Sequence, residues 1–205
     1  MALESWVEAR RPWVAARRRE NVEGVLRAQA IALPLPPSFN DAVRIARTER
    51  ALIAGIMRRD PGTGRTLDVD IATFVPRAES LGACAFAVYP DEELHGGSYA
   101  DILAVAQCTG LPVLSRDPVI DPVQIVMART HGAAAVTLCV GALSDNDVRT
   151  LFRQALELGL DVVFEVGSAA ELDRLARVRV SGPESAGAGL VAVHAVGFDG
   201  KSADL

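Results

Sequence analysis

An α/β fold built on a parallel sheet is predicted for this chain, and two observations carry the prediction. Apolar runs begin near Leu52, Ala83, Pro112, Ala134, Asp161 and Leu190, with helical periodicity in the segments between them. Strand alternating with helix through short connections implies parallel strands with helices packed outside. A closed barrel of this kind needs eight strands and about 250 residues, whereas the 205 residues here supply six apolar runs. The expected architecture is therefore a partial TIM-type (β/α) barrel of about six parallel strands, preceded by an N-terminal helical extension. The competing arrangement is an open doubly wound sheet.

Residues 1–50 are assigned to the extension and residues 51–205 to the barrel domain, around one core. Near the N-terminus Trp6, Val7, Trp13, Val14, Val22, Val25 and Leu26 fall at helical spacing, with Arg17, Arg18 and Arg19 opposite. Pro12 is expected to kink or divide this helix. Residues 32–39, ALPLPPSF, read as an extended connector, and Asn40 as the cap of a short helix reaching Arg50. Beyond them, helices are predicted over 71–81, 99–109, 122–131, 145–158 and 169–178. Leu81-Gly82, Thr109-Gly110, His131-Gly132 and Leu158-Gly159 offer C-terminal caps. Residues 181–189, SGPESAGAG, break the rhythm as a flexible loop.

Charge placed at the C-terminal end of an apolar strand is where α/β enzymes keep their chemistry. Pro112-Val113-Leu114 runs into Ser115-Arg116-Asp117, and residues 52–57 run into Arg58-Arg59-Asp60. Glu165 is a lone acid within DVVFEVG, and His194 a lone histidine within VAVHAV. The first and sixth strands would be open edges unless the N-terminal helix or a second subunit covered them. A homodimer is the expected way of covering them.

Composition excludes several classes. The net charge of −5 is spread along the chain, which argues against a nucleic-acid partner. Three cysteines without CxxC spacing point to free thiols in a reducing cytoplasm, with no metal and no cofactor. The N-terminus is charged and amphipathic, so no signal peptide is expected, and no apolar run is long enough to span a membrane. Of 21 basic residues, Lys201 alone is lysine.

In order, these motifs resemble the indole-3-glycerol phosphate synthase family. Residues 55–64, GIMRRDPGTG, stand where the family has ExKRxSPSxG. Residues 88–93 and 97–99 are similar to its LTD/E…F-x-GS, residues 111–125 to LPVLRKDFIIDPYQV, and residues 135–145 to AILLIVAALSD. Residues 164–167 resemble LVEVH, and residues 192–198 the family's IGINNRNL. The resemblance covers about residues 51–205 and adds a family-like helical extension. It implies a carboxy-lyase of tryptophan biosynthesis, with a glutamate and a lysine on the first strand and a general-acid lysine after the third. Those positions hold Gly55, Met57 and Arg116. Glu165 and Asp117 remain of the family's ionisable set, and its asparagine after strand six falls on His194. The family holds its substrate phosphate after strands seven and eight.

Arginine binds anions well but is a poor proton donor. The candidate catalytic residues are therefore Glu165, His194 and Asp117, with Arg116, Met57, Arg58 and Ser98 binding a small-molecule substrate. A buried structural pair between Glu165 and Arg116 is the plain alternative, and a lone histidine such as His194 is more often a satisfied core residue. His95 and His131 are placed on loops at helix boundaries. Met57 and Val140, taken to face inward, suit a hydrophobic or aromatic ligand. The leading expectation is a divergent lyase-type enzyme of specialised metabolism. A non-catalytic binding or scaffold protein is the alternative, and an authentic indole-3-glycerol phosphate synthase the third reading.

Overall fold

A computed structural model describes residues 3–20, 22–46 and 51–178, together with the backbone of 190–193. Three helices come first: α1 (Leu3–Arg19), α2 (Glu23–Ala32) and α3 (Phe39–Ala46). Strands and helices then alternate as β1 (Leu52–Ile56), α4 (Ile71–Ser80), β2 (Ala83–Val88), α5 (Tyr99–Cys108), β3 (Val113–Ser115) and α6 (Pro122–Thr130). The series continues with β4 (Ala135–Cys139), a 3-10 turn at Val140–Ala142, α7 (Asp145–Glu157), β5 (Asp161–Val166), α8 (Ala169–Val178) and β6 (Leu190–Val193). All neighbouring strands pair in parallel, in the order β1-β2-β3-β4-β5-β6. The sheet does not close, and its strictly sequential order, without the reversal that marks a doubly wound sheet, is that of a partial barrel.

Strand alternation separates two faces. Phe86, Val88, Val113, Val136, Leu138, Val162, Phe164 and Val166 point outward and form the main core with Ile102, Val105, Ile125, Val148, Leu151 and Phe152 of the surrounding helices. Ala85, Ala87, Leu114, Ala135 and Val163 point inward and meet Phe39 of α3, which is 1% exposed. The alanines leave the room that the Phe39 ring fills. Asp161, at the start of β5, anchors α3 by accepting from the Asn40 backbone N–H at 2.9 Å and from Ser38 Oγ at 3.0 Å. One end of the half-barrel is thereby plugged by α3, while α1 lies at the other, over the strand C-termini.

The extension differs from expectation in two places. Pro12 lies inside α1 without ending it; its exposed position leaves the carbonyl that loses a partner open to water. The break falls instead between α1 and α2. Asn40 is buried within α3, and Ser38 caps it, accepting from the Asp41 N–H at 3.1 Å. Gly82, Gly132 and Gly159 take positive φ at their helix ends, as predicted, while Thr109 after α5 is extended. Residues 47–50 and the predicted loop 181–189 lie outside the described residues.

Arg129 fastens the extension to the barrel. It is 3% exposed, and its guanidinium donates to three carbonyls: Leu158 at 2.9 Å, Leu33 at 3.0 Å and Pro34 at 2.6 Å. Leu158 and Leu33 are the C-caps of α7 and α2, so the cation sits where two helix dipoles are negative. Burial pushes the guanidinium's pKa down, which those dipoles oppose. Arg129→Met should cost about 2–3 kcal/mol by leaving these carbonyls unpaired. Urea unfolding checks this, and a loss below about 0.5 kcal/mol, the range of ordinary surface changes, would refute the anchoring role.

Candidate functional site

The candidate site lies at the C-terminal ends of β1 to β5. Arg116 follows β3 on the inward face, and its Nε donates to Glu165 Oε1 of β5 at 2.6 Å. Its Nη1 donates to the hydroxyl of Tyr89, which follows β2, and the guanidinium carbon lies 4.9 Å from that ring's centroid. Cys139, at the end of β4, places Sγ 3.8 Å from Glu165 Oε2. Burial drives the Cys139 thiol pKa well up, and the neighbouring Glu165 charge adds to it, so this sulfur is held as the unreactive thiol. Glu165 is 2% exposed while Arg116 remains reachable. The arrangement is a buried carboxylate capable of proton exchange beside a cation capable of binding an oxygen anion.

A second cluster lies beside Tyr89. Asp91 accepts hydrogen bonds from Trp6 Nε1 of α1 at 3.0 Å and from the Leu94 N–H at 2.8 Å. It also pairs with His95 Nδ1. The His95 ring stands 4.6 Å from Tyr89 and 5.2 Å from Trp6, centroid to centroid. Burial pushes the Asp91 carboxyl up, but the bonds from His95, Leu94 and Trp6 outweigh it and hold the carboxyl below its usual range. Gly97 is required here, because a Cβ at that position would strike the Tyr89 carbonyl.

A group whose pKa is depressed on folding contributes stability above its unfolded value and loses it as pH falls through the folded one. The Asp91 contribution is therefore present near neutrality and disappears in acid. Asp91→Asn should lower stability at about pH 7, with the two unfolding curves converging as pH falls below the ordinary carboxylate range. Parallel curves across that range would mean the carboxylate adds nothing.

Other predicted residues are placed differently. Asp117 is fully buried and turned away from the Arg116–Glu165 pair. It accepts from Arg10 Nε at 2.9 Å and Nη2 at 2.8 Å, Tyr99 Oη at 2.8 Å and Gln124 Nε2 at 3.0 Å. With its lone pairs so occupied, it ties α1 to β3 rather than serving a substrate. Ser98 is the N-cap of α5, its N–H donating to Asp101 Oδ2 at 2.9 Å. Arg58 is held by the other Asp101 oxygen, through Nη2 at 2.6 Å, and that bond with the Asp101 charge outweighs desolvation to raise its pKa. Met57 lines a groove with Gly55, Arg65, Leu67, Val69 and Phe74. Val140 does not face inward: its 3-10 turn directs it into the core beneath the helices. His131 caps α6 and bonds the Met127 carbonyl at 2.7 Å. His194 lies outside the described residues. Among the described residues no cluster of three or more metal-ligating side chains occurs and no helix is long and apolar enough to cross a membrane.

Residues missed from sequence are Tyr89 and His95, together with the Trp6 and Arg10 contacts from α1. The spacing from Asp91 to His95 was visible, but nothing in it indicated that an aromatic cage would gather around the imidazole.

The model of the family described as indole-3-glycerol phosphate synthase matches residues 3–181, nearly the whole of the described chain. The chain belongs to the indole-3-glycerol phosphate synthase family. Its open six-stranded sheet is accordingly part of that family's TIM barrel. An indole-3-glycerol phosphate synthase of Exiguobacterium sibiricum is 35% identical over 178 residues, covering 86% of this chain and 66% of its own. Another from Parafrankia is 35% identical over 95% of this chain and 69% of its own, and one from Opitutus terrae 36% identical over 69% and 55%. The chain thus spans between about half and two thirds of the family members it matches. A carboxyl transferase domain of Rhizobium etli pyruvate carboxylase overlays with a TM-score of 0.49 at 18% identity, over 75% of this chain and 29% of its own.

Proposed function

We propose that this chain is a divergent member of the indole-3-glycerol phosphate synthase family, performing lyase-type acid/base chemistry on a hydrophobic or aromatic small molecule. The observation that supports it is the Arg116–Glu165 contact at 2.6 Å across the strand ends. Glu165 exchanges the proton, and Arg116 holds an anionic or carbonyl oxygen. An arginine where the family resemblance places a lysine favours a changed mechanism, because the guanidinium does not release its proton near neutrality. Met57 in place of a charged family residue favours a less polar substrate. In this reading the protein belongs to specialised metabolism and works in the cytoplasm, where its free thiols stay reduced. A homodimer covers the β1 edge at Leu52 and Ile53, which are 45% and 39% exposed; light scattering that gave a monomer would remove that part.

Two further readings have support of their own. The names of the relatives favour an authentic synthase, which fluorescence of indoleglycerol phosphate formed from the family substrate would reveal. The closure of Arg116 on Glu165 favours a binding protein that needs no turnover. The test that separates them is turnover by the native protein and by Glu165→Gln over a panel of aromatic carboxylates and phosphorylated anilines. Activity surviving that substitution overturns the proposed role of Glu165.

A further inference from the structure

Acid/base chemistry needs a proton donor as well as an acceptor, and Arg116 cannot be the donor. We propose that His95, oriented by Asp91, is the second proton-transfer group of this site. The inference rests on the reading of the site as an acid/base centre.

Three features of the geometry carry it. The Nδ1 atom of His95 is paired with a carboxylate that Trp6 and the Leu94 N–H already fix in place. A carboxylate at one ring nitrogen sets the orientation of the imidazole and leaves the other nitrogen as the exchanging position. That other nitrogen, Nε2, makes no hydrogen bond among the described residues, in an imidazole that is 4% exposed. Finally, Tyr89 is shared: its ring packs on His95, and its hydroxyl meets Arg116. A substrate oxygen seated on Arg116 beside the Tyr89 hydroxyl therefore lies on the side of the site that His95 occupies.

Around the imidazole, Asp91 is the acid on its own loop; Trp6 and Tyr89, from α1 and the end of β2, are uncharged neighbours. On the β1 side the Arg58 N–H donates to the His95 carbonyl, while the Arg58 guanidinium is neutralised by Asp101 and that of Arg59 donates to the Glu93 carbonyl. Arg116 lies beyond Tyr89 and is paired with Glu165. In the proton transfer, the imidazolium gives its Nε2 proton to the substrate oxygen held by Arg116. The neutral ring keeps its proton on Nδ1 and donates it in the hydrogen bond to Asp91. Glu165 takes the proton the substrate sheds, and exchange with water resets both groups.

His95→Phe preserves an aromatic ring against Trp6 and Tyr89 and removes the exchangeable proton. The expected result is a fall in kcat of about 100-fold or more with KM little changed, and loss of the imidazole limb from the pH profile of kcat. A wild-type rate and pH profile would overturn the proposal. Loss of turnover in Glu165→Gln alone leaves the parent reading standing and overturns this one; turnover that survives Glu165→Gln overturns the parent reading and this one with it. Imidazole NMR of the native protein, titrated with anthranilate and with benzoate, decides the matter where no substrate is turned over. Movement of the His95 ring signals, absent in Arg116→Met, supports the shared site, and signals that neither ligand moves overturn it.

Discussion

Asp117→Ala should destabilise the protein by about 3–5 kcal/mol, the range for breaking a buried ion pair by removing one partner. Arg10 and Asp117 are 4% and 0% exposed and meet at 2.8 Å. Burial alone would lower the Arg10 pKa, but the Asp117 charge overcomes it and raises it. Tyr99 responds in the same direction, pushed well above its ordinary value first by burial and then by the same carboxylate. Removing the carboxylate strands a guanidinium, a phenol and the Gln124 amide together. Urea unfolding measures the loss, and the double variant Arg10→Met with Asp117→Leu tests its origin. Replacing both charges by apolar groups should recover much of the stability, because the pair's mutual attraction barely offsets its desolvation. An Asp117→Ala protein within about 1 kcal/mol of wild type would show that water enters and solvates Arg10.

The Asp117 network also marks the boundary between what the sequence made legible and what it did not. The six strands and the five helices between them were readable because each has an apolar period and a chemical stop: the predicted 169–178 helix is α8, and Gly82, Gly132 and Gly159 end their helices at positive φ. Glu165 and Arg116 were readable as a pair because both interrupt or end an apolar strand. Asp117 had the same local signature and a different fate. Its partner Arg10 lies 107 residues away on α1, and no periodicity reports a contact of that separation. Ser98 and Arg58 were claimed by Asp101 for a comparable reason, since a capping interaction and a substrate contact require the same residue types. Tyr89 and His95 were obscured because their contacts depend on how the ten-residue loop 89–98 folds back over β1 and β2, where glycines at 96 and 97 permit the close approach.

Glu165→Gln should lower turnover by about 10²–10⁴-fold, the usual contribution of a positioned acid or base. The amide keeps the size of the side chain and still accepts from Arg116, so the fold should survive with a small change in melting temperature. Binding should move the other way. In the native protein the Glu165 carboxylate occupies the Arg116 fork at 2.6 Å, and an anionic ligand must displace it or share it. A neutral amide competes less well for the guanidinium, since hydrogen bonds between two ionised groups are the stronger kind. Anthranilate and benzoate should therefore stabilise Glu165→Gln more than the native chain, and KM should fall along with kcat. A protein that only binds would show the tighter binding with no turnover to lose in either form. If anion affinity were unchanged while turnover fell, Arg116 would not be the anchor and the oxygen of the substrate would have to be held elsewhere. Were both quantities unchanged, the contact between β3 and β5 would be structural, and the chemistry would have to be sought away from the strand ends.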